Sequence, residues 1–432
     1  MINIILLVAV VVAGMGIYKA YREHKVPVTR ARGRWALVLR YRFELLVIGA
    51  AALGSLWGQE YPALIAFAVL LPVLWSFAES RIEALIVTGF YYLAASRDLP
   101  QSAGIFFDVT APLAVGYGLW LLAAALNAAV WAGCWQPKPA HRAIAAQFAL
   151  VLTAIPPIGI VGWANPLTSA GWLFPYCGVL GLLFTMLLIA ILVSRSYRMF
   201  MNFGQVVIAG SLLANVYCSY FVPAGPPPYL QNWVSYDSHF AKLQSGSSAS
   251  FFSRVQGMQD IAAMAQPHQV ILLPESILPE TALSNGFSEP LIENAAKMLH
   301  VKDALVLIGT EATGEKGVDN VLMPLGEHGI NLVQRVPVPV GMWRPWSKLT
   351  YTTNFFGSGV AVIRGVRAAY LICYEQLLVY PVVLSAVRDP RVILGASNDW
   401  WARDTSIPKI QQAATMSWGR LLGIPVLNAT NF

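Results

Sequence analysis

Eight apolar segments dominate the first half of the 432-residue chain, at roughly 2–17, 43–59, 61–78, 84–96, 105–135, 143–163, 170–193 and 204–221. Several reach or exceed the roughly 20 residues that cross a bilayer as a helix. Within lipid each backbone polar group must find its partner inside such a helix, which leaves few other folds open to these segments. Charged residues make up 12% of the chain, about half of the ~25% usual in a soluble globular protein. Disorder and fibrous repeats are excluded by the same composition.

The loops carry an orientation signal. No basic n-region precedes the first segment and no small-residue cleavage site follows it, so it reads as an anchor rather than a secretory signal. Residues 18–42 hold Lys19, Arg22, Lys25, Arg30, Arg32, Arg34, Arg40 and Arg42 against Glu23 alone, which predicts a cytoplasmic loop. If all eight segments cross, Arg81, then Lys138 with Arg142, then Arg195 with Arg198 fall on that same side. The opposite loops hold Glu60, then Arg97 with Asp98, then no charge at 164–169. This parity predicts that Met1 and residues 222–432 lie outside the cytoplasm. Segment 84–96 is short for a crossing, and a re-entrant path there would invert everything after it.

The net charge of +7 sits in the first half, where residues 1–223 contain 14 Lys/Arg and 7 Asp/Glu, whereas residues 224–432 contain 15 of each. A neutral second half argues against a nucleic-acid surface. The basic loop is read as a topology signal or an anionic-lipid patch. Four regions follow: an anchor helix at 1–17, a basic cytoplasmic loop at 18–42, a multi-pass helical membrane domain at 43–222, and an α/β domain at 223–432. The proline-rich stretch from Pro223 to Pro228 marks the passage into the last.

There the pattern changes to short β-branched runs alternating with helical ones. Strands are predicted at Val270–Leu273, Ala304–Ile308, Val360–Arg364, Ala368–Cys373 and Val392–Gly395, with helices near 251–265, 288–299, 375–388 and 408–422. Such alternation predicts sheets covered by helices. Cys134, Cys177 and Cys218 lie in apolar stretches, leaving Cys373 alone in the polar half. The six histidines show no metal-binding spacing, so no metal and no cofactor are expected.

Three polar clusters stand where buried strands are predicted to end: Pro274-Glu275-Ser276, Cys373-Tyr374-Glu375 and Ser397-Asn398-Asp399-Trp400-Trp401. Carboxyl ends of strands are where α/β proteins assemble their sites. Cys373 is the candidate nucleophile, and Glu275 the candidate base if burial lifts its pKa toward neutrality. Each has a blander reading: a packing thiol, a turn cap at Glu275, a turn signal at Asn398-Asp399, and lipid-interface anchors at Trp400 and Trp401. Their joint order is what favours chemistry.

At these residues, in "LLPES", "LICYE" and "SNDWW", the chain resembles the nitrilase (carbon–nitrogen hydrolase) superfamily. With membrane helices ahead of that domain it is similar to apolipoprotein N-acyltransferase. The resemblance implies an αββα sandwich and a Glu-Lys-Cys catalytic set. In "QRVPVPVGMW" the Lys position is taken by Gln334 and the family's second Glu by Met342. Arg335 is the nearest cation, one residue off and so on the other face of an extended strand unless a bulge brings it in. The catalytic set carried over is therefore Glu275, Arg335 and Cys373, with Tyr374, Glu375, Asn398, Asp399 and Trp400 in support. If the domain catalyses, Arg335 should point toward the Cys373 sulfur. The last residues, "VLNATNF", resemble a segment after which the acyltransferase continues with further strands and a helix, so an open sheet edge is expected, covered by a partner chain or membrane.

These departures, with the added first helix and basic loop, resemble most the conjugal-transfer TraB family of plasmids. That implies a bacterial inner-membrane protein with its last domain in the periplasm, contacting membrane lipids and envelope or conjugation proteins. Three functions stay open: cysteine chemistry on an amide or acyl group, an inactive nitrilase fold acting by protein contacts, and N-acyl transfer to a lipoprotein, disfavoured by Gln334 and Met342.

Overall fold

A computed structural model describes residues 41–107, 112–194, 203–223, 225–240, 248–279, 289–314, 317–348 and 350–432. The first apolar segment, nearly all of the basic loop and the loop with Arg195 and Arg198 lie outside these. Two compact units emerge. One takes the described residues of Met1–Gly104, Asp108–Val222 and Met416–Gly423, the other Ile105–Phe107, Pro223–Thr415 and Ile424–Phe432.

In the first unit the apolar segments become helices Arg42–Ser55, Arg81–Ala95, Pro112–Cys134, Pro139–Ala154, Gly178–Ser194 and Gln205–Tyr220. Two segments differ from expectation. Residues 61–78 form a 3-10 run, Pro62–Leu70, before the short helix Leu71–Ser76. The predicted crossing at 170–193 bends by 114° between Leu173 and Gly178, where Pro175 removes an N–H and Gly178 takes a φ of +56°. Among the described residues, Ala114–Cys134 is the one helix long and apolar enough to cross a membrane unaided, or one of two if the bent pair is a single span.

These helices turn large apolar side chains outward as well as inward. Helix Pro139–Ala154 buries Arg142, Ala145, Ala146, Ala149 and Thr153 while exposing Ile144, Phe148 and Leu152. Helix Gly178–Ser194 likewise buries Gly181 and Thr185 and exposes Leu180, Leu183, Phe184 and Leu187. Some of the polar groups inside are paired: Trp75 Nε1 donates to the Trp131 carbonyl at 2.9 Å, and Asn165 Nδ2 to Thr153 Oγ1 at 3.0 Å.

The second unit contains two sheets. Strands β1 (Trp233–Ser235), β2 (Val270–Leu272), β3 (Leu305–Gly314), β4 (Gly317–Leu325) and β5 (Leu332–Val333) lie side by side in that order. Strands β6 (Val360–Ile363), β7 (Val366–Ile372), β8 (Val392–Asn398) and β9 (Val426–Asn431) form the other. The pairs β1–β2, β2–β3, β7–β8 and β8–β9 are parallel, and parallel neighbours need a crossover. Helices Ser248–Met264 and Glu289–Val301 supply it in the first sheet, and Val379–Ala386 and Ile407–Leu422 in the second.

Side-chain alternation makes the layers. Val270, Leu272, Leu305 and Leu307 meet Ile372, Val392, Leu394 and Ala396 between the sheets. Their neighbours Ile271, Leu273, Val306 and Ile308 point the other way, onto residues of the first helix pair such as Val255, Met258, Ile292 and Leu299. A strand buried on both faces explains why these runs are continuously apolar.

Some boundaries differ from the sequence reading. The strand expected to include Cys373 stops at Ile372, and the helix expected at 375–388 is a 3-10 turn, Cys373–Leu377, followed by Val379–Ala386. Strands β1, β4, β5 and β9 carried no recognised pattern. The edge of β9 is also not left wholly open. Ser238 N donates to the Thr430 carbonyl at 2.9 Å, and Phe432 N to the Ser238 carbonyl at 2.8 Å, so the chain covers this end of the edge itself.

Candidate active site

Glu275 lies just beyond β2, Cys373 directly follows β7 and Asn398 ends β8, all at carboxyl ends of parallel strands. Cys373 sits at φ +50°, a left-handed conformation that costs a non-glycine residue about 1–3 kcal/mol and is kept where surrounding bonds enforce it. Here Gln411 Nε2 holds the Cys373 carbonyl at 2.7 Å, while Thr415 Oγ1 donates to Gln376 Oε1 at 2.8 Å in the same turn. The strand thus stops short and presents its thiol instead of packing it along the ladder.

The thiol meets Glu275 through a side-chain hydrogen bond. The carboxyl is 4% exposed, and its other bonds come from neutral donors: Asn320 Nδ2 to Oε1 at 2.5 Å and the Asn398 backbone N–H to Oε2 at 3.0 Å. Burial pushes its pKa up to about 7, against the pull of these hydrogen bonds, and the charge of Glu311 raises it further. Its backbone needs room as well. A Cβ on Gly309 of β3 would lie 2.4 Å from Glu275 Cα and 2.1 Å from the Pro274 carbonyl oxygen.

Burial also pushes the Cys373 thiol up, and the negative charges of Glu275 and Asp399 act in the same direction. Asp399 is itself buried and raised to about 8, first by desolvation and then by Glu275, with a hydrogen bond to Ser397 opposing. Its backbone N–H is anchored on the Asn431 carbonyl at 2.7 Å. Tyr374 and Trp400 are half-buried neighbours in the two turns.

Gln334, at the position where the resemblance implied Lys, faces this cluster. It accepts from Asn320 Nδ2 at 2.9 Å and donates to the Ile372 carbonyl at 3.0 Å. Arg335 does not. The expectation that it would point toward the Cys373 sulfur is corrected: β5 ends at Val333, the chain bends at Arg335, and the guanidinium goes to the buried Glu375. Its Nη2 pairs with Glu375 Oε2 at 3.1 Å, and Nη1 reaches the Pro381 carbonyl at 3.1 Å and the Gly357 carbonyl at 3.2 Å. Glu375 Oε1 takes the backbone N–H groups of Arg335 and Val336, the latter at 3.0 Å. Glu375 therefore also belongs to this clamp and not to the thiol. Gly359, at φ +61°, makes the clamp possible, since a Cβ there would lie 2.2 Å from the guanidinium.

Three contributors escaped the sequence reading. Asn320 belongs to an unrecognised strand, Gln411 to the helix after the third motif, and Gln334 was visible as a departure from a pattern rather than as a participant. Among the described residues, no group of three or more His, Cys, Asp and Glu side chains is placed to hold a metal ion.

Two sheets with a Cys-Glu pair at their strand ends have the layout of a carbon–nitrogen hydrolase, and that family's model matches residues 268–420. The similarity to known proteins extends well beyond this domain. The chain is 33% identical to the probable conjugal transfer protein TraB of Sinorhizobium fredii, over 90% of this chain and 98% of that protein. It is 33% identical to the conjugal transfer protein TraB of Agrobacterium fabrum, over 96% and 97% respectively. The chain belongs to the TraB family of conjugal transfer proteins. Among solved structures, an amidase from Nesterenkonia sp. matches at 16% identity and a TM-score of 0.32, over 46% of this chain and 75% of that one.

Proposed function

We propose that this conjugal transfer protein is a multi-pass protein of the bacterial inner membrane whose periplasmic domain uses Cys373 as a nucleophile on an amide or acyl carbonyl. The observation that carries the chemistry is the hydrogen bond between Cys373 and a buried Glu275 whose pKa lies near 7. As sulfur attacks the carbonyl carbon, the thiol proton passes to the Glu275 carboxylate. The C–N bond of an amide then breaks, Glu275 returns the proton to the leaving nitrogen, and a thioester remains. Water or an amine, deprotonated by Glu275, releases the acyl group and restores the thiol. Asn320 and the Asn398 N–H aim the carboxylate, and Gln334 holds Asn320 in turn.

The membrane reading is supported by apolar helices that expose Leu, Ile and Phe side chains over their outer faces, a surface suited to lipid. Membrane lipids, and envelope or conjugation proteins, are the partners this location implies. Reporter fusions near residues 30, 140 and 230 test it, and cytoplasmic activity at 230 would sink the orientation.

The chemistry is tested by iodoacetamide labelling of Cys373 in native membranes, followed on the Cys373 peptide by mass. Glu275→Gln should slow labelling by about 10²- to 10⁴-fold, the range typical of a lost general base. An unchanged rate would favour the second reading, a nitrilase fold acting by protein contacts. That reading draws on Gln334 at the Lys position and on Arg335 being engaged by Glu375, since a missing oxyanion donor typically costs about 2.7–4 kcal/mol.

A further inference from the structure

We propose that the site at Cys373 takes an amide or acyl substrate bearing a positive charge close to the scissile carbonyl, so that the substrate itself supplies a cation beside the thiol. The inference rests on Cys373 being a nucleophile, and it names the class of substrate. Attack at a carbonyl creates negative charge on sulfur and then on oxygen, which a nearby cation stabilises. Two arginines of the segment after β5 are engaged elsewhere. Arg335 is held by Glu375, and Arg344 donates its Nε to the Val340 carbonyl at 3.0 Å and its Nη2 to the Gly341 carbonyl at 2.7 Å. The Gln334 carboxamide is neutral and already bridges Asn320 to Ile372.

The titratable groups acting on the thiol are acidic, with Glu275 held up at about 7 and Asp399 at about 8, so a cation arriving beside them favours their ionised forms. Glu275 and Asp399 both act on the thiol, and Glu311 acts on Glu275. A separate observation points to a missing donor. Asp399 is 1% exposed, and its Oδ1, among the described residues, receives no hydrogen bond. A buried acceptor without a donor is uncommon in a folded protein and calls for a ligand or an unusual role. An ammonium or other organic cation offers N–H donors or charge to Asp399, balances the carboxylates and stands beside the developing oxyanion. An anionic substrate would oppose that ionisation and offer Asp399 no donor.

The test compares methanethiosulfonate reagents of three charges on the full chain in nanodiscs, read on the Cys373 peptide by mass: trimethylammonium-ethyl, sulfonatoethyl and the neutral methyl compound. The cationic reagent should modify Cys373 at least about tenfold faster than the anionic one. Asp399→Asn should collapse that ratio toward unity, and Glu311→Gln, which does not touch the thiol, should lower it by less. Betaine amide should protect Cys373 from the neutral reagent at concentrations where acetamide does not. If the neutral reagent labels Cys373 but the charged pair react alike, or the anion reacts faster, the inference is overturned while the nucleophile reading stands. If even the neutral reagent fails, the nucleophile reading falls and takes this inference with it.

Discussion

Glu275 and Glu375 are both buried near the Cys373 turn, yet their companions differ in kind. Glu375 has a guanidinium and two backbone N–H groups, a full set of donors that includes a compensating charge. Glu275 has Asn320, the Asn398 N–H and a thiol, all neutral. A buried carboxylate with a cation is a fastener, whereas one with neutral donors alone stays close to taking up a proton near pH 7. Identical side chains thus divide into a structural and a reactive member through their neighbours.

The sharpest way to break the comparison is to remove the fastener. Glu375→Gln should destabilise the detergent-solubilised protein by about 3–5 kcal/mol, because it leaves the Arg335 charge buried without its counter-ion. Pairing it with Arg335→Met should recover much of the loss, measured by denaturant unfolding. A loss below about 1 kcal/mol for the single variant would mean that the pair contributes no more than a surface ion pair.

The reactive carboxylates should show themselves in the pH dependence of stability. Glu275 moves from an ordinary 4.5 to about 7 and Asp399 from 3.8 to about 8. Both bind a proton more tightly folded than unfolded. Their contribution is therefore fully present below about pH 4 and is lost as pH rises through 7 and 8, a decline on the order of a few kcal/mol. Asp399→Asn should flatten the upper part of that decline. A wild-type curve that rises from pH 5 to 8 and is unaffected by Asp399→Asn would contradict it.

The smallest effect sharpens the contrast by giving Glu275 a charged partner. Gln334→Lys should lower the thiol pKa and raise iodoacetamide labelling at pH 7 by about tenfold, the effect of about one pKa unit. Labelling at the wild-type rate would place the new ammonium away from Cys373.

How far the sequence could be read depended on the range of the interactions. The pairing of Cys373 with Glu275 was legible because a continuous apolar strand ending in a polar cluster is a local pattern, and the three clusters could be compared directly. That Arg335 stands one residue off the Lys position was legible too, from the register of the motif alone. What Arg335 faces was not, because Glu375 and Gly359 enter from other elements 40 and 24 positions away.

In the first unit, hydropathy located the apolar segments but did not tell a straight helix from the 114° bend after Leu173, because hydropathy is a property of composition and direction is set by backbone angles. By itself the sequence determined which residues are apolar and where three buried runs give way to polar clusters, both consequences of chemistry and short-range pattern. Only the tertiary structure decided that Asn320, 45 positions from Glu275, would hold its carboxylate and that Asn398, 123 positions away, would complete the grip. Those contacts join strands whose pairing leaves no periodic trace, so the residue that tunes a carboxylate is known only once the sheets are packed.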